Sequence, residues 1–160
     1  MKVLVSLIIT AAVVSSAAGA DLKQWQSPDK FYSFLVPADW EETKQPGEPP
    51  SVAFTSPDGK AEIRVSAAYG MKLPEKLPDE ILDLAFPNEK GITGIAHIRG
   101  SGWDGLQRDY VDAAQTQRWT GIAARNGSTV ILVTMTAPTM AFPEFEKTFK
   151  SVAESLKLGK

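Results

Sequence analysis

The chain has no cysteine and a single histidine, and both scarcities exclude kinds of site. Without cysteine there is no disulfide, no thiolate nucleophile and no sulfur ligand for a metal ion. A zinc site at His97 would have to draw its other ligands from aspartate and glutamate, which is uncommon. His97 could act as a general base near neutral pH, but a solvated or hydrogen-bonded structural histidine is the simpler interpretation.

The chain also lacks a run of basic residues. It carries 17 basic and 19 acidic residues, and no stretch concentrates positive charge. This balance argues against nucleic acid as a partner, because nucleic-acid binding needs a basic patch that neutralises phosphates.

The sequence motifs of common catalytic sites are missing or out of context. Gly100–Gly105 matches G-x-G-x-x-G, but a strand rather than a helix follows it, so we predict a wide hairpin loop. No G-x-S-x-G elbow and no D-x-D-x-D-G calcium loop occurs. A paired-carboxylate site stays open, because such pairs form in space. We therefore predict no catalytic residue, no metal site and no cofactor.

The first twenty residues have the pattern of a secretory signal peptide. Lys2 precedes an apolar segment, Val3–Val14, and Ala18-Gly19-Ala20 forms a small-x-small cleavage site. The segment is short for a membrane span, although an uncleaved anchor is the alternative. We predict a single domain over residues 21–160, exported to the periplasm or the medium, with membrane contact only through the signal peptide before cleavage.

The clearest local pattern is the stretch Gln117–Leu158. Two apolar runs flank Asn126-Gly127, a strong hairpin signal, and the second run is apolar enough on both faces to be a central strand. Pro138 then precedes a helix whose apolar side chains recur every three or four residues, which predicts that this face packs on the sheet. Those side chains are Phe142, Phe145, Phe149, Val152 and Leu156.

Hairpin patterns also fill the earlier chain. Phe31–Val36 reads as a strand, Glu41–Pro50 as an exposed loop, and Asp79–Phe86 as a helix capped by Asp79. Two more hairpins are expected, Ser51–Thr55 with Lys60–Ala67 and Ile92–Arg99 with Leu106–Ala113. The predicted fold class is α+β, a mainly antiparallel sheet built from hairpins with helices on its faces.

Two segments give a family resemblance. Residues Phe31–Trp40 resemble the strand, Pro, x, x, Trp opening of PsbP-like and DcrB-like domains. The end of the chain is similar as well, with a hairpin, a proline break and a helix that finishes at Ser155-Leu156. The resemblance covers roughly Trp25–Leu158. It implies an α-β-α sandwich and a binding, assembly or accessory role rather than catalysis, and it carries over no site residue.

The leading hypothesis is thus an exported, non-catalytic domain whose partner is another protein. Trp40, Trp103 and Asp104 form the candidate interaction surface, and the loops Glu41–Pro50 and Gly100–Gly105 are the expected functional places. One alternative is a small-ligand or metal-dependent enzyme that uses His97 with nearby carboxylates. The other is an antagonist of a secreted toxin.

Overall fold

The computed structural model describes residues 21–47, 50–68, 77–86, 89–127 and 129–159. The predicted signal peptide, residues 1–20, lies outside these ranges. The described backbone forms ten strands and two α-helices, with one short 3-10 helix at Glu89–Gly91. In chain order the elements are β1 (Leu22–Gln26), β2 (Tyr32–Pro37), β3 (Glu41–Gln45), β4 (Ser51–Thr55), β5 (Glu62–Ala68), α1 (Leu77–Ala85), β6 (Ile92–Gly100), β7 (Trp103–Val111), β8 (Gln117–Asn126), β9 (Thr129–Pro138), α2 (Phe142–Ser155) and β10 (Lys157–Leu158).

The strands of the described chain form two antiparallel sheets. The small sheet has the order β1-β2-β10, and the large one has the order β3-β4-β5-β9-β8-β7-β6. Strand β9 lies at the centre of the large sheet between β5 and β8, as its two-sided apolar sequence predicts. The α+β class and the hairpin plan are therefore confirmed.

The main core lies on one face of the large sheet, which we call the inner face. The small sheet and α2 cover it, and alternate side chains of the central strands pack there with Phe149 and Val152 of α2. Phe149 is 3% exposed. This burial confirms the predicted docking of the helix on the sheet. Burying such side chains stabilises the fold by roughly 1.5–3 kcal/mol each.

Helix α1 covers part of the opposite, outer face. Its buried Leu82 and Phe86, the residue just after the helix, pack with Ala123 of β8. Gly121 permits this close approach, since a Cβ there would lie 2.2 Å from the Phe86 ring. Helices thus lie on both sides of the large sheet.

Arg108 of β7 ties α1 to that outer face. Its buried guanidinium binds the carboxylates of Asp79 and Asp83. The helix begins at Leu77, so Asp79 lies inside it and serves this ion pair; the predicted capping role is wrong. Desolvation lowers the pKa of Arg108, but the carboxylates of Asp83 and Asp79 more than offset it, so that the pKa is raised.

Both predicted loops are shorter than expected. Glu41–Gln45 is an edge strand paired with β4, and its charged side chains stay in solvent while its backbone bonds to the sheet. The Gly100–Gly105 loop is a two-residue turn, Ser101-Gly102, with Gly102 at φ +80°. The glycine supplies the positive φ of the turn, so β7 already begins at Trp103.

Two further details differ at the end of the chain. Asn126 is the last residue of β8 and pairs with Thr129, so the turn falls one residue later than predicted. A short strand, β10, follows α2 and pairs with β2. The Asn126 amide donates a hydrogen bond to the Gly159 carbonyl at 3.0 Å, which ties the last described residue to the large sheet.

Candidate functional site

A groove runs along α2 on the inner face, where the sheet continues beyond the helix. Its volume is about 420 Å³. Gln107, Asp109 and Thr120 supply polar groups from the sheet. Helix α2 supplies an apolar wall through Phe142 and Phe149, and its charged residues Glu146, Lys150 and Glu154 line the groove as well. A mainly apolar groove with a few convergent polar groups is the usual form of a recognition site.

The polar groups of this groove are held in place. The Thr120 hydroxyl donates a hydrogen bond of 2.7 Å to Asp109 Oδ1. The guanidinium carbon of Arg118 lies 4.3 Å from the centroid of the Phe142 ring, a cation–π contact. The described residues contain no group of three or more His, Asp or Glu that could hold a metal ion.

The structure separates the three residues of the predicted interaction surface. Trp103 is 7% exposed, and its indole N–H donates a 2.8 Å hydrogen bond to the Leu156 carbonyl. Gly100 makes room for this ring, since a Cβ there would lie 2.2 Å from it. Trp40 is 6% exposed and meets Phe145 edge to face. The two tryptophans are therefore core side chains rather than exposed anchors.

Asp104 alone of the three is exposed. It lies on the outer face and pairs with Arg125 at 3.5 Å. A binding role for these three positions stays a prediction.

His97 lies exposed on β6, beside a shallow hollow of about 240 Å³. Asp79 and Asp104 also line the hollow, but Asp79 is bound to Arg108 and Asp104 to Arg125. No hydrogen bond orients the His97 ring within the described residues. Both neighbouring carboxylates thus already form ion pairs with arginine side chains. The arrangement gives the His97 enzyme hypothesis no support.

Strand β6 is one edge of the large sheet. Within the described chain it pairs only with β7, and along its nine residues it carries one charged side chain, Arg99. Ile95 is 61% exposed. Sequence reasoning missed this feature, because an edge strand is recognised only once the strand order is known; the available signal was a long uncharged strand with no residue that blocks pairing.

Comparisons with known proteins address the fold. No protein-family model and no curated protein matches the chain. The solution structure of cyanobacterial PsbP (CyanoP) from Synechocystis aligns with 93% of this chain and 99% of its own, with a TM-score of 0.66 and 13% identity. The fold is PsbP-like. This finding confirms the resemblance found in the sequence and the α-β-α arrangement that it implies.

A second structural neighbour is a crystal structure from Bacteroides thetaiotaomicron, with a TM-score of 0.57 and 20% identity over 86% of this chain. The chain spans about half of that protein's length, 48%. No helix among the described residues of this PsbP-like chain is long and apolar enough to cross a membrane.

Proposed function

We propose that this PsbP-like chain is an exported, non-catalytic accessory module that binds another protein. The β6 edge is the observation that carries the proposal. Natural sheets protect their edges with charge, proline or short strands, because unpaired N–H and C=O groups invite another strand. Strand β6 is long, carries one charge and exposes Ile95, so a partner protein is the natural cover for it.

The groove along α2 enlarges this surface. It opens beside Ile98 of β6, so the edge and the groove are continuous. A partner seated on the edge can place side chains against the apolar wall of α2. An interface that joins an apolar centre to a polar rim has the composition expected of specific protein recognition.

Export rests on the signal-peptide pattern of residues 1–20. Sequencing the N-terminus of the protein recovered from the exported fraction tests it. We expect the mature chain to begin at Asp21; a chain that still begins at Met1 would contradict cleavage.

Site-specific photo-crosslinking tests partner binding. A photoreactive amino acid replaces Ile95 on β6 in the full chain, and the matched control places it at Thr43, which is exposed on the opposite edge strand, β3. We expect a discrete adduct with another protein at position 95 and none at position 43. Equal adducts at both positions, or none at either, would contradict the proposal.

A further inference from the structure

The backbone of β6 offers a regular set of unpaired groups at its free edge. Gly100 and Trp103 face each other across the two-residue turn. The residues that flank such a turn form a hydrogen-bonded pair, so we assign their N–H and C=O groups to each other. In an antiparallel ladder the direction of these groups alternates along the strand. The backbone groups of Ile95, His97 and Arg99 therefore point away from β7.

Pairing along this part of β6 is regular. The only irregularity in the β6–β7 pair lies between Ile92 and Gly94, and every residue from Gly94 to Gly100 has a partner in β7. A bulge bends a strand and hinders a further pairing. The stretch from Gly94 to Arg99 is thus the part that an added strand can follow.

The outer face of this stretch carries one free positive charge. Asp104 stands opposite Arg99 in the strand register, but its carboxylate binds Arg125 at 3.5 Å. Arg99 is exposed and has no acidic partner among the residues that the structure describes. On the same face, His97 lies two positions before Arg99 and the exposed Ile95 lies four positions before it.

The inner face of the same stretch is small and apolar. Ala96 and Ile98 alternate with the outer-face residues, and Ile98 lies at the border of the groove along α2. Side chains of an added strand that point inward would meet these residues, so short apolar side chains fit there.

From these observations we infer that the partner protein adds one antiparallel strand to β6, with an acidic side chain opposite Arg99 and a β-branched apolar side chain opposite Ile95. The inference rests on the proposed function and names its mode of binding. Because the added strand runs antiparallel to β6, its residue opposite Arg99 precedes its residue opposite Ile95. The partner segment therefore carries Glu or Asp, followed four positions later by Ile or Val. Main-chain bonds supply affinity in such strand additions, and alternate side chains supply specificity.

A second copy of this chain fits the edge less well. Strand β6 contains no acidic residue, so two antiparallel β6 strands would leave both copies of Arg99 without a carboxylate across the pair. Charge complementarity favours a different protein, because opposite charges on facing positions stabilise a strand pair.

A synthetic peptide tests the inference directly. The probe is acetyl-Lys-Thr-Glu-Val-Thr-Val-Ile-Thr-Lys-amide with a fluorescent label, and binding to the mature chain is followed by fluorescence anisotropy. Two singly N-methylated versions form the matched pair. N-methylation of the Thr between the two Val residues blocks an N–H that faces β6, whereas N-methylation of the first Val blocks one that faces solvent. We expect the first to weaken binding by at least about tenfold and the second by less than about threefold.

A charge exchange tests the acidic position. Arg99→Glu is expected to weaken binding of the Glu peptide by about tenfold. A peptide with Lys in place of Glu is expected to restore binding to that variant. Circular dichroism of the variant checks that the fold is kept. Failure of the Lys peptide to restore binding would overturn the assigned acidic position.

Other results separate the possible failures. Equal binding of the two N-methylated peptides overturns strand addition. Concentration-dependent dimers in sedimentation, lost in Ile95→Lys, would show that a second copy occupies the edge and overturn the assigned partner. If a crosslinked adduct at position 95 persists under excess Glu peptide, the inferred strand addition fails while partner binding stands. If the peptide binds as expected but no adduct forms in the exported fraction, partner binding fails instead.

Discussion

The two edges of the large sheet are built on opposite plans. Strand β3 has five residues, carries Glu41, Glu42 and Lys44, and is followed by Pro46. Strand β6 has nine residues, and its one charge, Arg99, stands next to the last. Shortness, charge and a nearby proline all discourage further pairing. The chain therefore protects one edge by three devices and leaves the other protected only by the irregularity near Ile92.

Anchoring to the core does not explain this difference. Trp40 precedes β3 and meets Phe145 of α2, and Trp103 opens β7 and donates to the Leu156 carbonyl just beyond α2. A buried tryptophan thus holds each end of the sheet to the same helix. The edges differ in what they present to solvent, which is the distinction expected of a binding surface opposite a passive one.

The largest effect is expected from removing the anchor on the β6 side. Trp103→Ala should lower the free energy of unfolding by about 3–5 kcal/mol, because it truncates a buried indole and leaves the Leu156 carbonyl without its donor. Denaturant titration measures the loss. Trp40→Ala is the matched variant for the β3 side, and it should cost about 1 kcal/mol less since no hydrogen bond of its ring is lost. A loss below about 1 kcal/mol for Trp103→Ala would contradict its role as an anchor.

A pair of proline substitutions probes which backbone groups of β6 face solvent. Ala96→Pro removes an N–H that points to β7, whereas His97→Pro removes one that points to the free edge. We expect Ala96→Pro to be more destabilising by about 1–3 kcal/mol, because it leaves a carbonyl of β7 without its donor. Both variants share the restriction of φ, so their difference reports the hydrogen bond. Equal losses in denaturant titration would contradict the assigned alternation.

A charge placed on each edge separates solubility from stability. Ile95→Lys and Thr43→Lys both change exposed side chains, so each should alter the free energy of unfolding by less than about 0.5 kcal/mol. Ile95→Lys should nevertheless reduce light scattering by concentrated protein during heating, whereas Thr43→Lys should leave it unchanged, because only β6 is open to pairing. Similar scattering in both variants would show that the edges are equivalent.

Local patterns in the sequence predicted much of this fold. The spacing of Phe142, Phe149 and Val152 defined α2, and alternation defined most strands, because both signals depend only on residues near in sequence. Strand β3 was missed for the reason that makes it a good edge. Its charges keep other strands away, and the same charges give it the composition of a loop.

The candidate site depends on contacts between distant residues. Trp103 was expected in a loop, and it is buried because Leu156, far along the chain, lies beside it. That β6 forms an edge follows from the pairing of β5 with β9, which places four strands on one side of β5. Neither fact has a local signal. Sequence reasoning could therefore predict the hairpins but not which of them would end the sheet.

The smallest expected effect is on the pH dependence of stability. It concerns two turns, one from each half of the large sheet. Asp112 lies in the β7–β8 turn and accepts the backbone N–H groups of Gln117 and Thr116. Asp58 lies in the β4–β5 turn and accepts the Ser56 hydroxyl at 2.6 Å. Hydrogen bonds lower the pKa of both carboxyls. The largest contribution comes from the Gln117 N–H for Asp112 and from the Ser56 hydroxyl for Asp58.

A folded-state pKa below the unfolded value means that each carboxylate stabilises the fold above about pH 4 and loses that effect as pH falls through its folded pKa. We expect the wild-type midpoint in urea to decrease on acidification below about pH 4, and Asp112→Asn and Asp58→Asn each to flatten this decrease.

Salt should distinguish the two turns. Asp58 also pairs with the Lys60 ammonium at 3.3 Å, an exposed contact that salt screens, whereas the bonds of Asp112 are to the backbone and a hydroxyl. High salt should therefore reduce the contribution of Asp58 more than that of Asp112. An acid limb unchanged in Asp112→Asn would show that the β7–β8 turn is held by its strands alone.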